Sequence, residues 1–156
     1  MSEPLKTQLL KLLDFKDAHA DFDAAVDGVP VEARGRIPDG AAHSLWQILE
    51  HLRIAQQDIW DFTVNPGYEE KTWPGDYWPK QPAPPDAKAW DESIAAYRRD
   101  RESMMQVVRD QPDIFATIPH GTGQTYLREV LLISHHASYH IAEMVTIRRL
   151  LGVWKP

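Results

Sequence analysis

The sequence predicts an all-α protein, most simply a four-helix bundle that forms a single domain over residues 1–156. Two observations support this fold class. Four stretches repeat apolar residues at helical spacings of three and four, and strand signals are nearly absent, with 115–119 as the one short candidate. The chain length of 156 residues suits one domain whose core needs no cross-links.

The first two predicted helices run from Pro4 to Val26 and from Ser44 to Phe62. The second begins with a capping box, because Ser44 is followed three residues later by Gln47. One face of the first helix carries Leu5, Leu9, Leu12, Phe15, His19, Phe22 and Val26.

The third and fourth predicted helices run from about Asp86 to Arg109 and from Thr125 to Gly152. Arg101 lies on the apolar face of the third helix, where it could hold an anionic group of a substrate or extend its charged end to solvent. Gly152 predicts a left-handed cap at the end of the fourth helix.

A link of 23 residues, Thr63–Pro85, separates the second and third helices and holds six of the twelve prolines. Neighbouring antiparallel helices usually need only a short loop. A helix of 19 residues is about 28 Å long, and this link can span that distance. We therefore expect a crossover, with the second and third helices parallel in an up-down-down-up bundle. The alternative is a long loop folded at one end.

Composition limits the function classes. The net charge of −6 argues against a general binder of nucleic acid or of anionic membranes. The absence of cysteine excludes a disulfide scaffold, a cysteine zinc site and a cysteine nucleophile, and it fits a reducing cytoplasm. No signal-peptide pattern and no apolar run of about 20 residues is found, so we expect a cytoplasmic location and no membrane span.

Histidines supply the strongest chemical signal. His136 and His140 are four residues apart on the fourth predicted helix, a spacing that puts both rings on one face and lets them share a metal ion. The best third ligand is His51, at the edge of the apolar stripe of the second helix. His19 is a second candidate, although a histidine packed in the core is its commoner explanation. The pair alone also fits purely structural histidines, and His43 and His120 are expected at the surface.

Other catalytic patterns are missing. The sequence has no His-Glu-x-x-His, no pair of Glu-x-x-His motifs, no Gly-x-Ser-x-Gly and no phosphate-binding loop.

Three segments resemble the DinB-like (YfiT-type) superfamily of metal-binding helical bundles: Leu45–Leu52, Pro119–Glu129, and His136–Ile141 together with Arg148–Gly152. The resemblance covers the chain in order. It implies a four-helix bundle with the long crossover, a three-histidine metal site at His51, His136 and His140, and a homodimer. This sequence departs from the family pattern at His135, where an acidic residue is common, and at Glu143, where glutamine is common. Both departures leave the substrate class open.

The resemblance also implies a divalent cofactor, zinc or nickel first and iron as a third choice. Characterised relatives include transferases and isomerases that use low-molecular-weight thiols, and some metal-dependent hydrolases. Because this chain has no cysteine, a thiol would have to be a cosubstrate. Glu143 could then accept a proton or orient a ligand, although a carboxylate that is solvated or that only supports a metal ligand is its commoner explanation. The alternatives are hydrolysis by a metal-activated water and a non-catalytic bundle that binds a metal or ligand. The expected partner is a small molecule.

Overall fold

The computed structural model describes residues 3–155, which form five α-helices, one 3-10 turn and no extended strand. The all-α class is confirmed. The strand candidate at 115–119 contributes only an isolated bridge between Thr117 and Thr125. The helices are α1 (Glu3–Leu13), α2 (Phe22–Val26), α3 (Leu45–Val64), α4 (Ala89–Asp110) and α5 (Tyr126–Leu150), and the 3-10 turn is Val31–Ala33.

The first predicted helix, Pro4–Val26, is wrong as a single element, because the chain leaves the helix after Leu13 and starts a new one at Phe22. The cause is a cap. Asp21 adopts an extended backbone, and its carboxylate accepts a hydrogen bond from the Ala24 backbone N–H at 2.7 Å. An N-cap residue cannot also be helical, so the helix is interrupted although the apolar spacing continues through the break.

The predicted boundaries of the two long helices that carry the histidines are confirmed. Ser44 caps α3, and both hydrogen bonds of the capping box with Gln47 are present. Thr125 caps α5, where its side chain accepts a hydrogen bond from the Arg128 backbone N–H. Gly152 has a φ of 73°, the left-handed conformation that ends α5.

The link between α3 and α4 lies along α3. Four contacts join them, in order along α3: Ser44 with Pro82, Gln47 with Pro79, His51 with Tyr77, and Asp58 with Tyr68. Residue numbers fall in the link as they rise in α3, so the link returns toward the start of α3. We refer to this returning segment, Thr63–Pro85, as the crossover.

Two clusters of buried side chains fill the interior. One joins α2 to the first halves of α3 and α4 and to the second half of α5, and it includes Phe22, Leu49 and Met144. The other joins α1, the end of α4 and the start of α5, and it includes Leu9 and Val108. Polar contacts between α3 and α4 pair Glu50 with Ser93 and Gln56 with Tyr97.

No helix among residues 3–155 combines the length and apolar composition that crossing a membrane requires.

Candidate metal centre

Three histidine rings converge where α5 faces the middle of α3. The ring centroids lie 4.8 Å apart for His51 and His136, 4.6 Å for His51 and His140, and 4.6 Å for His136 and His140. Each pair meets edge to face, with interplanar angles of 64–79°. Candidate ligand nitrogens of all three residues lie within 4.8 Å of one another. The ring centroids therefore form a nearly equilateral triangle, with a candidate ligand nitrogen from each histidine close to the other two.

The orientation of the His51 ring is fixed by the crossover. Its Nδ1 lies 3.0 Å from the Tyr77 carbonyl oxygen, which can only accept a hydrogen bond, so Nδ1 carries the proton and donates. The lone pair of His51 is therefore on Nε2, the nitrogen that faces the centre of the triangle. A histidine metal ligand is typically held in this way, with its other ring nitrogen donating to a carbonyl or carboxylate.

The orientation of His140 is fixed by Glu143. The His140 Nδ1 donates to Glu143 Oε2 at 2.9 Å, which leaves Nε2 as the nitrogen with the lone pair. The same hydrogen bond holds the pKa of the Glu143 carboxyl below its usual range, so this carboxylate is ionised at neutral pH. The other oxygen of Glu143, Oε1, lies 3.8 Å from Nδ1 of His43.

His136 completes the triangle through its Nε2, which lies 2.9 Å from Nε2 of His51. Nitrogens of two histidines that each lie 2.0–2.1 Å from one ion are about 2.8–3.4 Å apart for bond angles between a right angle and the tetrahedral value. The observed separation falls in that range. The donor set therefore fits a divalent cation such as zinc, nickel or iron, for which imidazole nitrogen is a suitable ligand.

Burial keeps two of these rings neutral. The pKa of His51 is lowered to about 4, first because the ring is shielded from water and then because other imidazoles lie close to it. The pKa of His136 is lowered to about 3 for the same two reasons, with His140 as its main neighbour. Only a neutral imidazole has a lone pair for a metal, so both side chains are ready to coordinate at neutral pH.

Aromatic rings surround the triangle. Trp78 lies between two histidines, stacked on His51 with centroids 3.8 Å apart and on His43 with centroids 3.9 Å apart. Trp73 and Tyr139 contact His51 and His140 edge-on and are 66% and 69% exposed. These two exposed rings border the side from which a small molecule could approach.

The other polar residues singled out from the sequence lie elsewhere. His19 is exposed in the break between α1 and α2, so its expected place in the core is wrong. Arg101 pairs with Asp14 at 3.4 Å and approaches Asp23 at 4.0 Å, so carboxylates of the same chain balance its charge. His120 is half-buried instead of exposed, because its Nε2 donates to the Phe62 carbonyl at 2.6 Å.

Three residues at the site were not predicted from the sequence: His43, Tyr77 and Trp78. His43 was expected at the surface but is half-buried, packed on Trp78 beside Glu143. The available signal was the aromatic content of the predicted crossover, because a link that returns along α3 must pass the ring of His51. Nothing in the sequence pattern indicates that the carbonyl that reaches Nδ1 of His51 belongs to Tyr77 and not to a neighbouring residue.

Comparison with known proteins adds one match. The model of a family described as the DinB superfamily matches residues 14–144, which include all three histidines. No curated protein and no solved structure matches the chain.

Proposed function

Because the chain belongs to the DinB superfamily, we propose that it is a metal-dependent transferase whose ion is held by His51, His136 and His140. The cosubstrate in this proposal is a low-molecular-weight thiol. The observation that carries the metal site is the pair of Nδ1 hydrogen bonds, to the Tyr77 carbonyl and to Glu143. They leave the lone pairs of His51 and His140 on Nε2, and the three histidines each offer a ligand nitrogen within 4.8 Å of the others.

A divalent cation at the triangle supplies Lewis acidity, which lowers the pKa of a thiol or of water at its side. Three histidine ligands leave at least one coordination position for a substrate, as is typical of catalytic zinc sites. The chain has no cysteine, so a nucleophilic sulfur must come from a cosubstrate.

The residues around the triangle have separate roles in this proposal. Glu143 orients His140 through Oε2, and Oε1 is the atom that we assign as the acceptor of the thiol proton. Trp78 excludes water from one face of His51 by stacking on it. Trp73 and Tyr139 offer apolar surface to the carbon skeleton of the substrate.

We also propose that α1, α3, α4 and α5 form an up-down-down-up bundle. The polar contacts of α3 with α4 advance in the same direction along both helices. In α1 and α4 the directions are opposite, since Lys6 donates to the Arg109 carbonyl while Asp14 pairs with Arg101. An experimental structure with α3 and α4 antiparallel would refute this arrangement.

The proposed reaction is tested by assaying the protein with a panel of small thiols and electrophiles, after removal of metal and reloading with zinc or nickel. We expect thioether formation, in which the sulfur displaces the leaving group of the electrophile and the thiol proton passes to Glu143. This reaction should require the metal and be abolished in His136→Ala. Glu143→Gln retains the metal in this proposal but transfers the thiol at least ten times more slowly, because the amide cannot accept the proton. Turnover on a hydrolase panel without thiol, or metal binding without turnover on either panel, would contradict thiol transfer.

A further inference from the structure

A second polar cluster lies on α3, seven residues after His51, and centres on the buried carboxylate of Asp58. The phenol of Tyr77 donates to Asp58 Oδ2 at 2.6 Å, and the phenol of Tyr68 lies 3.2 Å from Oδ1 and 3.3 Å from Oδ2. Lys71 approaches Oδ1 at 3.5 Å. Asp58 is 6% exposed, so these contacts replace the water that an ionised carboxylate would otherwise bind.

Tyr77 connects this cluster to the metal centre. Its side chain is bound by Asp58, and its backbone carbonyl accepts the hydrogen bond from Nδ1 of His51. The next residue, Trp78, stacks on a face of the same imidazole. The segment that sets both the tautomer and the plane of His51 is thus attached to α3 two helical turns away from His51 itself.

We propose that Asp58 is a positioning residue for His51 and acts through Tyr77. The proposal rests on the metal-binding part of the proposed function. Asp58 and His51 both belong to α3, so the helix fixes the distance between them. Tyr77 bonds to both residues, and its position is therefore fixed as well. Loss of the phenol–carboxylate bond frees the Tyr77 carbonyl to move, and His51 then loses the acceptor that keeps its proton on Nδ1.

The cluster supplies its own matched control. Tyr68 donates to the same carboxylate as Tyr77, lies in the same crossover and interacts with the Tyr77 phenol, but its hydrogen bonds do not reach His51. Tyr68→Phe and Tyr77→Phe each remove one phenol oxygen from Asp58. Comparing the two variants therefore separates the loss of stability caused by weakening the cluster from the change in metal affinity caused by releasing His51.

The test measures the affinity for Co²⁺ of the wild type, Tyr77→Phe, Tyr68→Phe and Asp58→Ala by competition with a chelator, together with thermal stability. We expect Tyr77→Phe and Asp58→Ala to weaken Co²⁺ binding about tenfold, the lower end of the range for losing such a supporting contact. Tyr68→Phe should change it less than twofold, even where its melting temperature falls as much as that of Tyr77→Phe. Equal affinity losses in the two phenylalanine variants, or none in either, would overturn the proposal.

A second measurement needs no metal. Long-range proton–nitrogen NMR of the metal-free protein reports which nitrogen of His51 carries the proton. We expect Nδ1–H in the wild type and in Tyr68→Phe, and a mixture of tautomers in Tyr77→Phe. An unchanged His51 tautomer in Tyr77→Phe would overturn the proposal. If the wild type binds no Co²⁺, the proposed function fails and the tautomer measurement still decides the role of Asp58.

Discussion

At the scale of single residues, the Nε2 atoms of His51 and His136 lie only 2.9 Å apart. Their lone pairs would repel each other, and a cation bound between them would remove that repulsion. Two nitrogens at this distance share either a proton or a metal ion. Without a metal, the His136 Nε2–H must donate to the lone pair of His51, because the proton of His51 is held on Nδ1 by the Tyr77 carbonyl. A further proton on Nε2 of His51 would place a positive charge in a shielded site and bring two N–H donors face to face.

This arrangement predicts that the metal-free protein loses stability in mild acid. The pKa values of His51 and His136, about 4 and about 3 when folded, lie below the value of 6.5 for a free histidine. Between these values the unfolded chain binds more protons than the folded one, so the free energy of unfolding falls as the pH falls from 6.5 toward 4. We expect a loss of about 2–4 kcal/mol between pH 7 and pH 5.

Urea unfolding at both pH values, in the presence of a chelator, measures this loss. The free energy of unfolding of His136→Gln should fall less than that of the wild type, because only one of the two buried histidines remains. The control is His19→Gln, which removes an exposed histidine and should leave the loss unchanged. A metal-free protein equally stable at pH 7 and pH 5 would contradict the neutral, buried state of the two rings.

At the scale of secondary-structure elements, the sequence predicts those features that depend on neighbours along the chain. The capping box of Ser44 and Gln47, the start of α5 and its end at Gly152 all follow from local chemistry. The pairing of His136 with His140 follows from helical geometry alone. The break before Phe22 was missed because apolar spacing continues through it and only the Asp21 cap reveals it.

The cap at Asp21 gives a prediction for this break. Asp21→Ala should lower the free energy of unfolding by about 1 kcal/mol, because the Ala24 N–H loses its acceptor at the start of α2. Asp21→Asn should retain most of the stability, and Asp17→Ala, a change at an exposed position of the same break, should have little effect. Chemical denaturation measures all three. Equal stability of Asp21→Ala and the wild type would show that the cap is not what starts α2.

Only part of the site could be predicted from the sequence, because the residues that contact the three histidines are mostly far from them along the chain. The three histidines could be proposed from spacing, stripe position and family resemblance. The contacts that orient them come from the crossover and from side-chain rotamers: the Tyr77 carbonyl on His51, Trp78 between His51 and His43, and Glu143 bound to His140. These contacts depend on how the crossover, α3 and α5 pack against one another, and this packing cannot be read directly from a single sequence.

At the scale of the whole molecule, the resemblance to the superfamily predicts a homodimer. The outer face of α5 exposes Leu131, Tyr139 and Leu150, which are 46%, 69% and 59% accessible in the single chain. At 100° per residue, Tyr139 and Leu150 lie about 20° apart around the helix, and Leu131 lies about 80–100° from them. We expect a mass near twice 17.9 kDa in sedimentation, and a monomer for Leu131→Asp. A wild type that sediments as a monomer at high concentration would refute the dimer.

Metal content shows whether His51, His136 and His140 together hold one divalent ion. The measurement is the metal content of each chain after chelation, reloading and desalting, with helicity checked for every variant. We expect one ion per chain for the wild type and for His19→Ala, and severe loss of metal from His51→Ala, His136→Ala and His140→Ala while all four variants stay helical. Stoichiometric metal in the three triangle variants would contradict it.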